Sequence, residues 1–539
     1  MALLSRHAVQ AFLNRPRDDW AIYKRLPDRR LDALARRYQI SPALWAKLKR
    51  HQKIMMLIGL REPRFAFFAD TGTGKTRTVL ALAEYFADPA LGASGIKRTL
   101  VLVPRRTNKD EWLDEIAKHA PQLTRCALPS NIKQKWWAVE EGDERIVVET
   151  YSGLLTMVCR TVPSRHGKSR FVPDKKLVKQ LCDTFDGLVL DESQAVKTKG
   201  KLPYRIARKL AQSAKMVFAL SATPHGRNVE DLWAQLHLLD GGATLGETLG
   251  LFRAVFCREK TNLWGFTSYE FMRSKEKLLH EILANRSIRF PADQAELPQL
   301  VKIEKRISLP DEAQAYYERA KQTMLAGRNI REIKGGFLRM RQISSGFVGF
   351  MDEDTGQRAE VEFADQPKLD MLMSVVESID PRYKIIIFHE FVWSGLRIMK
   401  ELEREQVKAV HLYGGTTKVQ AVRQQFNTDP ATRVLVLQNS FGQGLNLQAA
   451  RYGIFFESPV SPDVRYQCVR RFERQHSQHG TVFSYDLITR GTYDELIQTY
   501  LRQGKDLLAS ILDGEHRAEH EERPDRKSLR PSNRIISAS

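Results

Sequence analysis

Short, almost wholly apolar runs of strand length punctuate this chain, and between them apolar positions recur at helical spacing. The first series is Phe65 to Phe68, RTLVLVP (98–104), RIVVET (145–150), GLVLDES (187–193) and KMVFALSATP (215–224). A second series follows: KIIIFHEF (384–391), VKAVHLYGG (407–415), TRVLVLQNS (432–440), YGIFFES (452–458) and GTVFSYDLIT (480–489). Strands without polar alternation, separated by helices, predict parallel sheets covered on both faces. Between 241 and 366 the strand pattern fades and helical segments dominate. In SLPDEAQAYYERAK, Ser308 is the expected N-cap, with Pro310 in the first turn and Asp311 three residues after the cap.

The pattern divides the chain into five parts. Residues 1–45 form a basic, helix-patterned extension, with Leu31, Leu34 and Ala35 at helical spacing. An α/β lobe spans 46–240, a helical inter-lobe insertion 241–366, and a second α/β lobe 367–512. Residues 513–539 are charged, with scattered proline and serine, the composition of a disordered tail.

The run at Phe65 ends in DTGTGKT, where a strand gives way to a glycine loop that opens a helix. Thr71 to Gly74 form the turn, and Gly72 and Gly74 allow the close backbone approach a phosphate requires. Lys75 reaches β- and γ-phosphates, and the Thr76 hydroxyl ligates magnesium. Ala69 stands where the strict phosphate-loop pattern has glycine. Ahead of the loop, Gln52 precedes an apolar helix, and its amide offers both a donor and an acceptor to an adenine edge.

GLVLDESQ places Asp191 and Glu192 at the carboxyl end of an apolar strand, where open α/β sheets hold their ligands. Asp191 suits a magnesium ligand, and Glu192 suits a group that orients and deprotonates water. The net charge of +21 favours a polyanionic partner. A basic stretch between Tyr151 and Phe185, with Arg165, Lys168, Arg170, Lys175 and Lys176, is a candidate for DNA contact. Five widely spaced cysteines form no C-x-x-C pair, so neither a metal cluster nor a disulfide framework is expected. No apolar run approaches the ~20 residues of a spanning helix. The N-terminus meets charge too soon for a secretory signal, so the expected setting is the cytosol or nucleoid; separately, a monomer is expected.

Taken together these segments resemble the Swi/Snf-like branch of superfamily-two helicases, the ATP-driven DNA translocases, over residues 46 to 500. Ala-x-x-Gly-x-Gly-Lys-Thr is the loop form that superfamily uses. SATPHGRNVEDLW resembles its third motif, in which Ser221, Ala222 and Thr223 link the ATP site to the nucleic-acid path. VLVPRRTNKDEWLDEI resembles a segment that touches the DNA backbone, with Arg105, Arg106 and Thr107 as phosphate donors; Trp112 within it reads as core. Thr150 and Tyr151 match a second such segment, and Gly414 and Gly415 in the second lobe are further candidate nucleic-acid contacts. SFGQGLNLQAA resembles the fifth motif, with Gly442, Gly444 and Asn446 lining the cleft between lobes. QCVRRFERQHSQ resembles the sixth, with Gln467, Arg471 and Arg474 at Q-x-x-x-R-x-x-R spacing and the two arginines as fingers for the γ-phosphate.

The resemblance implies two tandem RecA-like parallel-sheet lobes. It implies ATP and Mg2+ as cofactors and hydrolysis coupled to movement along DNA, with duplex favoured over single strands and RNA. The sequence departs from the family where Gln194 replaces the usual histidine of D-E-x-H. In the sixth motif Arg470, Glu473 and a late Gln478 differ. Three other readings are a strand-separating helicase, the motor of a restriction or defence nuclease, and a switch that binds ATP without acting as a motor. The nuclease reading has only Pro310-Asp311 and Glu332-Ile333-Lys334, in helix-patterned sequence where such sites use strands.

Overall fold

The structure, a computed structural model, describes residues 6–70, 72–88, 96–163, 169–222, 229–261, 267–291, 297–327, 329–351, 358–441, 445, 447–473 and 477–504. The first series of apolar runs builds a seven-stranded sheet. Its order is Ser287–Phe290, Arg64–Ala69, Met216–Ser221, Gly187–Asp191, Thr99–Val103, Ile146–Thr150 and Arg125–Ala127, and every neighbouring pair is parallel. The second series builds a six-stranded sheet, ordered Gln299–Ile307, Thr481–Thr489, Ala450–Phe455, Lys384–His389, Val434–Gln438 and Ala409–Leu412, again all parallel.

Helices on both faces explain why the strands carry apolar residues at successive positions. Phe65, Phe67, Val101, Val103, Val189 and Phe218 feed one core. Ala66, Phe68, Leu100, Leu102, Leu188 and Leu190 feed the other. The second sheet repeats the arrangement, with Ile385, Ile387, Val434 and Val436 on one face and Ile386, Phe388, Leu435 and Leu437 on the other. All parallel strands of a sheet run the same way, so their carboxyl ends share one edge.

The lobe boundary differs from the sequence reading. Ser287–Phe290 extends the first sheet beyond Arg64–Ala69, and Gln299–Ile307 pairs with Thr481–Thr489 in the second. The chain therefore changes lobes between 290 and 299, whereas the apolar pattern put the end of the first lobe near 240. Both strands lie at sheet edges, where one side lacks a neighbour and polar residues are tolerated, so neither shows a continuous apolar run.

Helices Asp311–Leu325 and Ile330–Ser344 pair with each other and with Tyr493–Arg502 around Tyr317, Phe337, Met340 and Ile497. They belong to the body of the second lobe. Ser308 is not the cap; Pro310 occupies that position without a side-chain bond, and Asp311 is the first helical residue. Asp311 and Glu332 both lie on helices, and Glu332 accepts from Asn329 at 2.5 Å.

The N-terminal extension is integral to the first lobe. Trp20, Tyr23, Leu31, Ala35, Ile40 and Trp45 join one core and Phe12 the other. The Trp20 indole donates to Asn285 O at 3.1 Å. In the basic stretch, antiparallel strands Cys159–Pro163 and Ser169–Pro173 sit between helices Tyr151–Val158 and Lys175–Thr184. Arg170, Lys175 and Lys176 are exposed there, and Arg165 and Lys168 lie outside the described residues.

Candidate active site

A cleft of about 1030 Å³ opens where the carboxyl edge of the first sheet faces the second lobe. From the first lobe it is lined by Gln52, Gly72 to Thr76, Trp112, Asp191, Glu192, Gln194 and Ala222; from the second, by Gln420, Arg423, Gln448, Gln467 and Arg471. Helix Lys75–Ala87 begins at this edge with Gly74 as its N-cap, so its first-turn N–H groups and positive dipole end face the cleft.

The loop needs its glycines. Gly72 and Gly74 have φ of +85° and +82°, the left-handed region that a Cβ disfavours. A Cβ on Gly74 would also stand 2.2 Å from Gln52 Nε2. Gln52 is buried against the loop, taking the Lys49 N–H at 3.0 Å and donating to Thr73 O at 3.1 Å. Its oxygen thus closes the start of helix Arg50–Arg61 and its nitrogen holds the loop, where the sequence reading offered the amide to an adenine edge. Lys75 Nζ donates to Ala69 O at 2.6 Å and Asp70 O at 3.2 Å. Thr73 Oγ1 donates to Asp70 O at 2.7 Å. Thr71 and Gly444 lie outside the described residues.

Asp191 is held from several directions. The Trp112 indole N–H donates to Oδ2 at 2.9 Å, the Glu192 N–H to Oδ1 at 3.1 Å, and the Tyr151 hydroxyl to the backbone carbonyl at 2.9 Å. Burial, and then the neighbouring Glu192 carboxylate, push the Asp191 carboxyl up to about 6, against the opposing pull of Trp112 and Lys75. Two adjacent carboxylates in such surroundings favour a bound cation. With the Thr76 hydroxyl on the same cleft, the oxygen donor set fits Mg2+. Glu192 itself adopts φ +48° and ψ +59°, a conformation that costs a non-glycine residue about 1–3 kcal/mol and clusters at functional sites.

Gln194 occupies the histidine position of the family pattern and makes a two-sided bridge. Its Nε2 donates to Glu192 Oε2 at 2.7 Å, and its Oε1 accepts from Ser221 Oγ at 2.8 Å. Ser221 is fully buried at the end of its strand. Ala222 lines the cleft, and Thr223 lies outside the described residues. Ser193 turns the other way and donates to Gln235 Oε1 at 2.6 Å.

Across the cleft, Arg471 is buried and donates from Nη1 to Leu445 O at 3.1 Å. Its backbone carbonyl accepts the Leu447 N–H at 3.3 Å. Gln467 is in helix Pro462–Val469, which Arg465 anchors by a bidentate pair to Asp486 at 2.6 and 2.8 Å. Arg474, Gly442 and Asn446 lie outside the described residues. Among the described residues, contacts that join the lobes beside the cleft include Gln420 Nε2 to Asp110 Oδ2 at 2.9 Å and Arg423 to Asp114 at 3.7 Å.

The residues expected on nucleic acid divide. Arg106 is exposed, and Arg105 and Thr107 are half-buried at the start of helix Arg106–His119; burial lowers the Arg105 pKa. Gly414 and Gly415 are exposed beyond strand Ala409–Leu412. Thr150 and Tyr151 are buried instead. Thr150 Oγ1 caps helix Tyr151–Val158 by accepting the Gly153 N–H at 2.8 Å, and the Tyr151 hydroxyl is spent on Asp191. Their side chains therefore serve the interior, because a strand-to-helix junction needs its own cap before it can offer groups outward.

Sequence reasoning treated Trp112 as core filling. It is 2% exposed, yet its N–H is directed at a candidate metal ligand. The available signal was chemical: a buried tryptophan normally finds an acceptor for its N–H. Gln420 and Arg423, on the amide-rich helix Val419–Thr428, carried no comparable signal.

Comparisons with known proteins point to one family. The SNF2-related domain matches residues 60–355, and the helicase conserved C-terminal domain matches residues 367–476. The DNA annealing helicase and endonuclease ZRANB3 of Bos taurus is 24% identical over 87% of this chain and 41% of its own length. SWI/SNF-related matrix-associated actin-dependent regulator of chromatin subfamily A-like protein 1 of Xenopus tropicalis is 23% identical over 82% of the chain and 42% of its own length. The chain thus spans about two-fifths of the length of these relatives. Among solved structures, the Sulfolobus solfataricus SWI2/SNF2 ATPase core in complex with dsDNA is 22% identical, with a TM-score of 0.38, over 88% of this chain and 93% of that one. With the SNF2-related domain covering more than half of its residues and the helicase C-terminal domain directly after it, the chain belongs to the SNF2-related family of helicase-type ATPases.

Proposed function

We propose that the protein hydrolyses ATP in the inter-lobe cleft and couples the cycle to movement along duplex DNA. The observation that carries this reading is the shared cleft, where Lys75, Asp191 and Glu192 of the first lobe face Gln467 and Arg471 of the second. The triphosphate binds on the Gly72–Thr76 loop and the helix N-terminus behind it, with Lys75 on the β- and γ-phosphates. Thr76 and Asp191 hold Mg2+, which when bound neutralises charge on the phosphate oxygens. Glu192, oriented by Gln194, positions water and takes its proton. Arg471, with Arg474, meets the charge that grows on the γ-phosphate as the lobes close.

The Glu192–Gln194–Ser221 bridge supports a coupling role for Gln194. It links the water-orienting carboxylate to the strand end that leads toward Ala222 and Thr223. The exposed residues at the two lobe surfaces, Arg106 and the Gly414–Gly415 backbone, serve the DNA phosphates, together with Arg105 and Thr107. Strand tracking without separation is the expected mode.

The test is ATP turnover with duplex DNA, single-stranded DNA and RNA in parallel, beside a strand-displacement assay. Stimulation is expected to be largest with duplex, without displacement, and to fall steeply with salt. Turnover at background with every nucleic acid would favour the switch reading. Displacement of a strand would favour a helicase.

A further inference from the structure

Helix Arg106–His119 joins regions that the proposed mechanism treats separately. Its first turn carries Arg106 and Thr107, the candidate phosphate contacts. Lys109 donates to Glu149 Oε1 at 2.8 Å and to Leu128 O at 2.6 Å. Glu149 also pairs with Lys135 at 2.5 Å and accepts the Thr150 N–H at 2.6 Å. All three of these charged side chains are buried. The starts of helices Arg106–His119 and Tyr151–Val158 are therefore tied into one rigid unit, since breaking a buried ion pair strands a charge. Each segment then contributes one aromatic residue to Asp191, Trp112 to the carboxylate and Tyr151 to the carbonyl, both at 2.9 Å.

Core filling would require only the bulk of these rings. Directed N–H and O–H bonds to one residue, from two segments locked together, do something more specific. The Trp112 N–H on Oδ2 and the Glu192 N–H on Oδ1 set the plane of the carboxylate. Without the indole N–H, the carboxylate loses the donor that fixes one of its oxygens.

We propose that Trp112, supported by Tyr151, is a positioning residue that transmits the setting of the nucleic-acid-facing side of the first lobe to Asp191, holding its carboxylate in the orientation that receives magnesium. The inference rests on the proposed ATP and DNA reading. DNA held at the start of helix Arg106–His119 acts on the metal site through that helix, across one hydrogen bond.

Trp112→Phe in the full chain keeps the ring and removes the donor. The first readout is Mg2+ titration of fluorescent ATP-analogue binding, which needs no nucleic acid. Half-saturating Mg2+ should rise about 10-fold, the low end for a hydrogen bond to a charged group, while binding in chelator is unchanged. The second readout is turnover: stimulation by duplex should fall by a similar factor with duplex affinity retained. Tyr151→Phe should move both readouts the same way, about 3-fold, at the weak end for a neutral hydrogen bond. In an Asp191→Asn background, Trp112→Phe should add no further change in the titration.

A wild-type magnesium titration for Trp112→Phe, in protein that melts like the parent, overturns the proposal. If Trp112→Phe does not fold, the Tyr151→Phe titration decides. Should the parent protein respond to no nucleic acid, the DNA reading fails by itself, and the magnesium titration still decides the role of Trp112.

Discussion

The two walls of the cleft differ in how firmly they are held. On the first-lobe side, Asp191 takes three hydrogen bonds from three elements, and Glu192 is bound to Gln194, which is bound in turn to Ser221. On the second-lobe side, Arg471 is fastened to the loop around Leu445 and Leu447. The lobes meet beside the cleft through Gln420–Asp110 and the long Arg423–Asp114 pair, with the Asp114 side chain 72% exposed. One wall is tied by directed bonds around the two carboxylates, and the other is fastened within its own lobe. That asymmetry suits a motor, in which fixed groups hold the reactant and a moving arginine completes the site.

The sharpest break in the comparison is Lys75→Ala, which removes the first wall's proposed phosphate ligand and should abolish nucleotide binding in a fluorescence titration. Glu192→Gln and Arg471→Ala should each lower turnover about 10³-fold while sparing binding, one from each wall. Wild-type turnover by Arg471→Ala would mean that the second wall takes no part in chemistry.

The second lobe should also be the more acid-sensitive in stability. His389 and His411 lie Nε2 to Nε2 at 3.0 Å, and both are held down to about 4, chiefly by burial. A depressed imidazole pKa means the unfolded chain binds protons first. Stability is therefore full above about 6.5 and is lost as pH falls toward 4. For His389 the loss between pH 6.5 and 5 should be about 2 kcal/mol, read as a falling second-lobe melting temperature. His389→Asn should flatten that dependence.

Gln194→Ala should reduce DNA-stimulated turnover about 10-fold, the scale of a hydrogen bond to a charged group. Asp114→Ala should change turnover less than about 3-fold, because an exposed ion pair contributes little. A large effect there would show that the two walls are held together more firmly than the structure indicates.

Much of the molecule was legible along the chain. The strand runs locate the sheet centres, because a strand buried on both faces must be apolar at successive positions. The loop from Gly72 to Thr76 and the pair Asp191–Glu192 were picked out along the chain by residue type at strand ends, and the structure brings them to one cleft. The edge strands Ser287–Phe290 and Gln299–Ile307 were not legible, since an edge does not demand a continuous apolar run. Nor did the basic N-terminal segment reveal that Trp20 and Trp45 pack into the first lobe.

What the sequence by itself determined is the chemistry available: which groups can bind phosphate, hold a cation, move a proton or neutralise charge. What only the tertiary structure decided is how those groups are assigned. Gln52 turns to the loop, Tyr151 and Trp112 turn inward to Asp191, and Gln194 spans Glu192 and Ser221. Local pattern records whether a side chain is buried and what it can donate. Its partner depends on which distant strands become neighbours, and parallel pairing brings together residues far apart in the chain.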